Sequence, residues 1–237
     1  QREAVEYCGG HELVLAGAGS GKTRVLTTKI AYLIEQEKIL PWRILALTFT
    51  NKAAKEMKTR VEALMGSDLK GMEVSTFHSY GLRFLHRYPD ALEKAGYPRA
   101  FVVFDRSDVR SVVKKSLAAL DIDPKRIDVG GAIELISRAK TEANPVTGEI
   151  YIDPKWFPLY DAYRKALLVQ GALDFDDLLS VPLRILASNA EVREHERSRL
   201  DWVLVDEYQD VNRPQYLMLR CLVDSGRKIM VVGDPDQ

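Results

Sequence analysis

Cysteine is almost missing from this chain. Cys8 and Cys221 are far apart and outside any C-x-x-C pattern, which excludes a disulfide framework and a thiolate zinc site. Two reduced thiols in a cytoplasmic protein are expected. The four histidines, His11, His78, His86 and His195, show no ligand spacing. No uninterrupted apolar run is long enough to span a bilayer, and no basic start precedes a short apolar stretch. Neither a membrane helix, a signal peptide nor a membrane partner is therefore expected. An excess of one charge is lacking too: Lys+Arg and Asp+Glu both number 34, so any surface for a polyanion must be local. Repeats and low-complexity tracts are absent, and so is an initial Met, which leaves the natural start expected upstream of Gln1.

What is present suffices for a globular core. With 237 residues, 46% hydrophobic, the chain can bury a sizeable interior and form one or two domains. Short apolar runs at Leu13 to Ala16, Ile44 to Phe49, Val74 to Phe77, Trp202 to Val205 and Ile229 to Val232 read as buried strands of a parallel sheet. The first two are followed by helical periodicity: Val25, Leu26, Ile30, Leu33 and Ile34, then Ala54, Met57, Val61 and Leu64, with Asn51 as N-cap and Gly66 as stop. This alternation predicts an α/β fold. From about Ser79 to Arg199 the pattern turns helical, with stripes at Val109 to Leu120, Ile133 to Ala139 and Trp156 to Leu167. A connection of that length reads as an inserted subdomain, not a loop.

The stretch LVLAGAGSGKT joins the first strand to the first long helix. Gly17, Gly19 and Gly21 let the backbone turn tightly with its N–H groups inward, and the helix brings its positive dipole end to the same place. That geometry cradles phosphate. Lys22 would reach the β and γ phosphates and the Thr23 hydroxyl would bind Mg²⁺. Ala16 stands where the G-x-x-x-x-G-K-[ST] pattern has its first glycine, a position that needs only a small side chain. The spacing is not that of a dinucleotide fingerprint. The complementary half is WVLVDEYQD, a strand ending in carboxylates: Asp206 to hold Mg²⁺ through water, and Glu207 to orient or deprotonate the water attacking the γ-phosphate.

AGAGSGKT, LTFTNKAAKEM, STFHS, LDFDDLL, LVDEYQD and VVGDPDQ occur in this order, and together they resemble the UvrD/Rep/PcrA helicases of superfamily 1 over essentially the whole chain. The resemblance implies nucleotide contacts over Gln1, Ala18, Gly19, Ser20, Gly21, Lys22, Thr23 and Arg24, with Gln1 similar to the glutamine that recognises adenine. Arg24 reads equally as an exposed first-turn residue. Gln209 resembles the residue linking hydrolysis to the DNA surface, and Gln237 the glutamine that senses the γ-phosphate and joins Lys22 and Glu207 in catalysis. For single-stranded DNA the resemblance implies Phe49 as a base-stacking ring, with Thr50, Asn51, Thr76 and His78 nearby and Phe175 in the inserted subdomain. Core packing for Phe49, helix capping for His78 and helix packing for Phe175 are the alternatives. Asp174, Asp176 and Asp177 read as helix N-terminal acids, not as a metal cluster.

The fold implied is a RecA-like P-loop domain with a parallel sheet, residues 1–78 and 200–237, interrupted by an all-helical DNA-binding subdomain at 79–199. The function implied is an ATP- and Mg²⁺-dependent translocase or helicase on single-stranded DNA and duplex–single-strand junctions, moving 3′ to 5′. A second RecA-like domain of the same polypeptide would supply the charge-stabilising arginines, so the chain alone is expected to be nearly inactive. The end of the chain within VVGDPDQ is expected to be a cut inside a motif. The motor part of a RecB- or AddA-like helicase-nuclease, and a nucleotide-gated DNA-binding module, are the alternatives.

Overall fold

The structure, a computed structural model, describes residues 1–17, 19–66, 69–125, 127–224 and 226–236. In chain order come α1 (Arg2–Glu6), β1 (Glu12–Leu15), α2 (Lys22–Glu35), β2 (Ile44–Thr48), α3 (Asn51–Met65), β3 (Glu73–Thr76) and α4 (Phe77–Arg87). Then follow α5 (Pro89–Lys94), β4 (Val102–Val103), α6 (Arg106–Ala119), α7 (Val129–Thr141), α8 (Phe157–Val169), β5 (Ala172–Leu173) and α9 (Asp177–Ser188). The last stretch holds α10 (Ala190–Ser198), β6 (Trp202–Val205), α11 (Arg213–Leu222) and β7 (Lys228–Gly233). These elements sort into two compact units: Gln1–Tyr80 with the chain from Arg193 onward, and Gly81–Val192.

The first unit is built on a parallel sheet of order β1-β7-β6-β2-β3. Its interior strands β2 and β6 are buried at every residue, as a parallel strand covered on both faces must be, and hence they read as unbroken apolar runs. The edge strand β1 behaves differently. Val14 packs on the core, while Leu13 and Leu15 are 59% and 60% exposed, which corrects the expectation of a buried strand there. Leu26, Ile30 and Leu33 of α2 and Met57 and Val61 of α3 fill one core with Ile44, Leu204 and Met230; each large side chain so buried contributes roughly 1.5–3 kcal/mol. The cap of α3 is Thr50, not Asn51: the Thr50 hydroxyl accepts the Ala53 N–H at 3.1 Å, and Asn51 is the first helical residue. Gly66 ends the helix in the left-handed conformation, and Leu64 stays exposed rather than joining the apolar stripe.

The second unit has its own core, centred on Val113, Leu117, Leu159, Tyr163 and Leu167 from α6 and α8, with Ile136 from α7. Among its described residues, one short strand pair departs from the all-helical expectation. After the Gly171 turn the chain runs extended through Ala172 and Leu173, which pair in parallel with Val102 and Val103. Just beyond, Asp174 and Asp177 open α9 by accepting each other's backbone N–H groups at 3.0 and 3.1 Å. Both also hold the buried Lys140 ammonium, at 2.6 and 2.9 Å, and the Tyr163 hydroxyl donates to Asp174 at 2.6 Å. Burial pushes the Asp177 carboxyl up to about 6; against burial, Lys140 and Tyr163 hold Asp174 below the ordinary aspartate value.

Candidate functional site

Strand register brings the sequence-predicted residues of the first unit to the carboxyl ends of its strands. β1 runs into the phosphate loop, β6 into Asp206 and β7 into Asp234; the Ala16 N–H donates to Gly233 at 3.0 Å and the Asp206 N–H to Leu47 at 3.0 Å, extending the ladder. Gly21 caps α2 with φ of +91°, a left-handed conformation that a side chain would disfavour, and Gly19 has φ of +71°. Gly19, Gly21, Lys22 and Thr23 line a 360 Å³ cavity together with Glu207. Arg24 and Arg60 complete its wall. Arg60, two turns into α3, went unsuspected in the sequence because nothing about its spacing marks it. Ala18 and Gln237 lie outside the described residues.

Three carboxylates face the loop. The Lys22 ammonium, buried, meets Asp234 at 3.2 Å and Glu207 at 3.7 Å. Burial pulls its pKa down, but Asp234, Glu207 and Asp206 outweigh that and hold it above the ordinary lysine value. The Thr23 hydroxyl donates to Asp206 at 3.4 Å. Burial, then the adjacent Glu207 charge, raises the Asp206 carboxyl. Asp234 accepts the Asp236 N–H at 3.1 Å and is lowered by that bond first and by Lys22 despite its burial. The charge partnership of Asp234 with Lys22 spans 212 positions and leaves no local signal in the sequence.

Glu207 sits in the left-handed region at φ 48° and ψ 49°, which costs a residue with a side chain on the order of 1 kcal/mol. Two bonds hold it there. Its own N–H donates to Asp206 at 3.0 Å, and the Gln209 amide donates to its carboxylate at 2.8 Å. The Gln209 carbonyl oxygen in turn accepts the Asp234 N–H at 3.0 Å, so one side chain ties the carboxylate after β6 to the turn after β7. The Glu207 side chain remains 40% exposed, open to a water molecule.

Gln1 and Arg24 lie beside the loop and share the wall of a second cavity, of 480 Å³. The Gln1 amide donates to the Ser20 carbonyl at 2.8 Å. On the other half of the same sheet edge, Phe49, Thr50 and Asn51 follow β2, and Thr76 ends the paired strand β3 opposite Thr48. Phe49 is half-buried with its ring 6.0 Å from that of Phe77, so one side of it packs. The Thr76 hydroxyl is buried; it accepts the Ser79 N–H at 3.2 Å and donates to the Ser79 hydroxyl at 2.9 Å, and that hydroxyl donates to Asn51 at 3.4 Å. Thr76, not His78, therefore caps the start of α4, and His78 is half-buried in its first turn. Phe175 belongs to the second unit and is 56% exposed. No helix among the described residues is long and apolar enough to cross a membrane.

A sequence profile of the UvrD/REP helicase N-terminal domain matches residues 1–237. The ATP-dependent DNA helicase PcrA of Bacillus subtilis is 42% identical over 243 residues, covering 100% of this chain and 32% of that protein. PcrA proteins of Staphylococcus epidermidis and Staphylococcus aureus are 40% and 39% identical, again over the whole chain and 33% of their own length. The chain thus spans about a third of the curated relatives it matches. With the phosphate loop, the paired carboxylates and a profile match from end to end, the chain belongs to the UvrD/REP helicase N-terminal domain family.

Proposed function

We propose that this chain is the ATP-binding part of a DNA translocase or helicase, acting on single-stranded DNA and duplex–single-strand junctions and moving 3′ to 5′. The observation that carries the reading is the bond pattern around Gln209: it ties Glu207, beside the phosphate loop, to the turn after β7, at the same carboxyl end of the sheet where Phe49 and Asn51 follow β2. ATP and Mg²⁺ fit the residues present. Loop amides and Lys22 would hold the phosphates, Thr23 and Asp206 the metal, and Gln1 the base. Bound Mg²⁺ would neutralise charge developing on the phosphate oxygens. Lys22 neutralises the same charge from the loop, and Glu207 orients the attacking water and takes its proton.

On this reading Phe49 stacks a base while Thr50, Asn51, Thr76 and His78 track the strand, and the second unit is the inserted DNA-binding subdomain to which Phe175 contributes. A second RecA-like domain completes the ATP site with cationic side chains, a contribution of about 10³- to 10⁵-fold in related phosphoryl transfer. The test uses the full-length protein. Lys22→Ala abolishes DNA-stimulated ATP hydrolysis and leaves nucleotide-free binding of single-stranded DNA intact, whereas Phe49→Ala weakens that binding by about 1–3 kcal/mol in filter assays run over a salt series. Retained ATP turnover in the first variant, or unaltered DNA affinity in the second, would overturn the proposal.

A further inference from the structure

Lys29 lies two turns after Lys22 on α2 and is fully buried. An isolated buried ammonium is costly unless its donors are met. Here they are met by the Ala4 carbonyl at 3.2 Å and the Tyr7 carbonyl, with Glu12 at 3.5 Å and the Trp202 ring 4.8 Å away. Lys228 adds a second ammonium, donating to the Cys8 carbonyl at 2.5 Å and lying 5.5 Å from the same ring. The Ala4 carbonyl lies in α1, which has only five residues, and the Tyr7 and Cys8 carbonyls lie in its cap and the residue after it. A helix so short does not hold itself together, its last carbonyls lack partners within the helix, and a cation is favoured there. At its other end α1 begins from Gln1, whose amide reaches the phosphate loop at Ser20.

We propose that Lys29 is a positioning residue for recognition of the nucleotide base: its ammonium fixes the C-terminal end of α1 and so aims the Gln1 carboxamide. The inference rests on the reading that Gln1 contacts the base. Lys29 itself touches no nucleotide. Removing its charge frees α1 to pivot about Val5, the buried residue of that helix, and moves Gln1 while the phosphate loop stays in place.

The test measures binding of ATP, GTP and inorganic tripolyphosphate, each with Mg²⁺, to the full-length protein by calorimetry. Lys29→Met is expected to weaken ATP about tenfold, the equivalent of about 1.4 kcal/mol, to bring ATP and GTP affinities together, and to leave tripolyphosphate unchanged. Lys29→Arg restores most of the discrimination, and in a Gln1→Ala background Lys29→Met adds nothing. If Lys29→Met does not fold, Lys29→Gln, which keeps a donor for the carbonyls, shows a smaller shift in the same direction. Equal losses for ATP and tripolyphosphate would mean a merely structural role and overturn the proposal. An altered ATP-to-GTP ratio in Gln1→Ala with an unaltered one in the Lys29 variants overturns it alone; an unaltered ratio in Gln1→Ala overturns the base-contact reading and the proposal together.

Discussion

Gly81→Ala should loosen the second unit even though alanine is the better helix former. Gly81 lies in α4, and a Cβ built on it would sit 1.8 Å from the Leu178 carbonyl oxygen in α9 and 3.5 Å from the Pro182 ring. Leu178 is four residues before Pro182, so its carbonyl has no N–H to accept within the helix. The bare glycine hydrogen lets the α4 backbone approach this orphaned acceptor, a contact of the weak C–H···O kind. A methyl group there forces the two backbones apart by about 1 Å or more. Overpacking against backbone costs about 1–3 kcal/mol and sometimes more, while the propensity gain of alanine over glycine returns at most about 1 kcal/mol. The steric effect wins, for a net loss of about 2 kcal/mol. Native-state hydrogen exchange on α4 and α9 reads it locally: their slowest amides should exchange about 30-fold faster. Exchange as slow as in the parent, or slower, would refute the close approach and the role given to Pro182.

Two further outcomes follow from buried and capping charge. Lys140→Met leaves Asp174 and Asp177 buried together without their cation and should cost about 3–5 kcal/mol, seen as loss of protection throughout the second unit; unchanged protection would show that the two acids do not need it. Asp105 accepts the N–H groups of Asp108 and Ser107 to cap α6, and those bonds hold its carboxyl below the ordinary aspartate value. A depressed folded-state value means that the stabilisation is present above the unfolded-state pKa and is lost as pH falls through the folded one. Amides in the first turn of α6 should therefore keep their protection down to the acid side of the ordinary aspartate range, then lose it; loss already near neutral pH, or none in acid, would contradict the capping role.

The parts legible in the sequence are those fixed by short-range patterns. β2 and β6 are interior strands, so their apolar runs carry an unambiguous period, and Gly21-Lys22-Thr23 declares a phosphate loop through backbone requirements alone. What was missed depends on neighbours remote in the chain. Leu13 and Leu15 look like core residues but lie on an edge strand, a fact of strand order that local composition does not encode. The capping acids Asp174 and Asp177 were recognisable as helix starters; their second duty, holding Lys140, joins residues 34 and 37 positions apart. Likewise Asp234 on Lys22, Lys29 on α1 and Arg60 in the cavity wall are products of packing. Thr50 and Asn51 are adjacent N-cap formers, and only the strand's exit angle decides between them.

The central claim is that Glu207, held by Gln209 in its left-handed turn, activates water for ATP hydrolysis without being needed to bind ATP. Glu207→Gln in the full-length protein tests it most directly, by measuring MgATP affinity and single-turnover hydrolysis with single-stranded DNA on the same preparation. The account predicts affinity within about threefold of the parent and hydrolysis slowed by about 10² or more. Hydrolysis at the parent rate would contradict it.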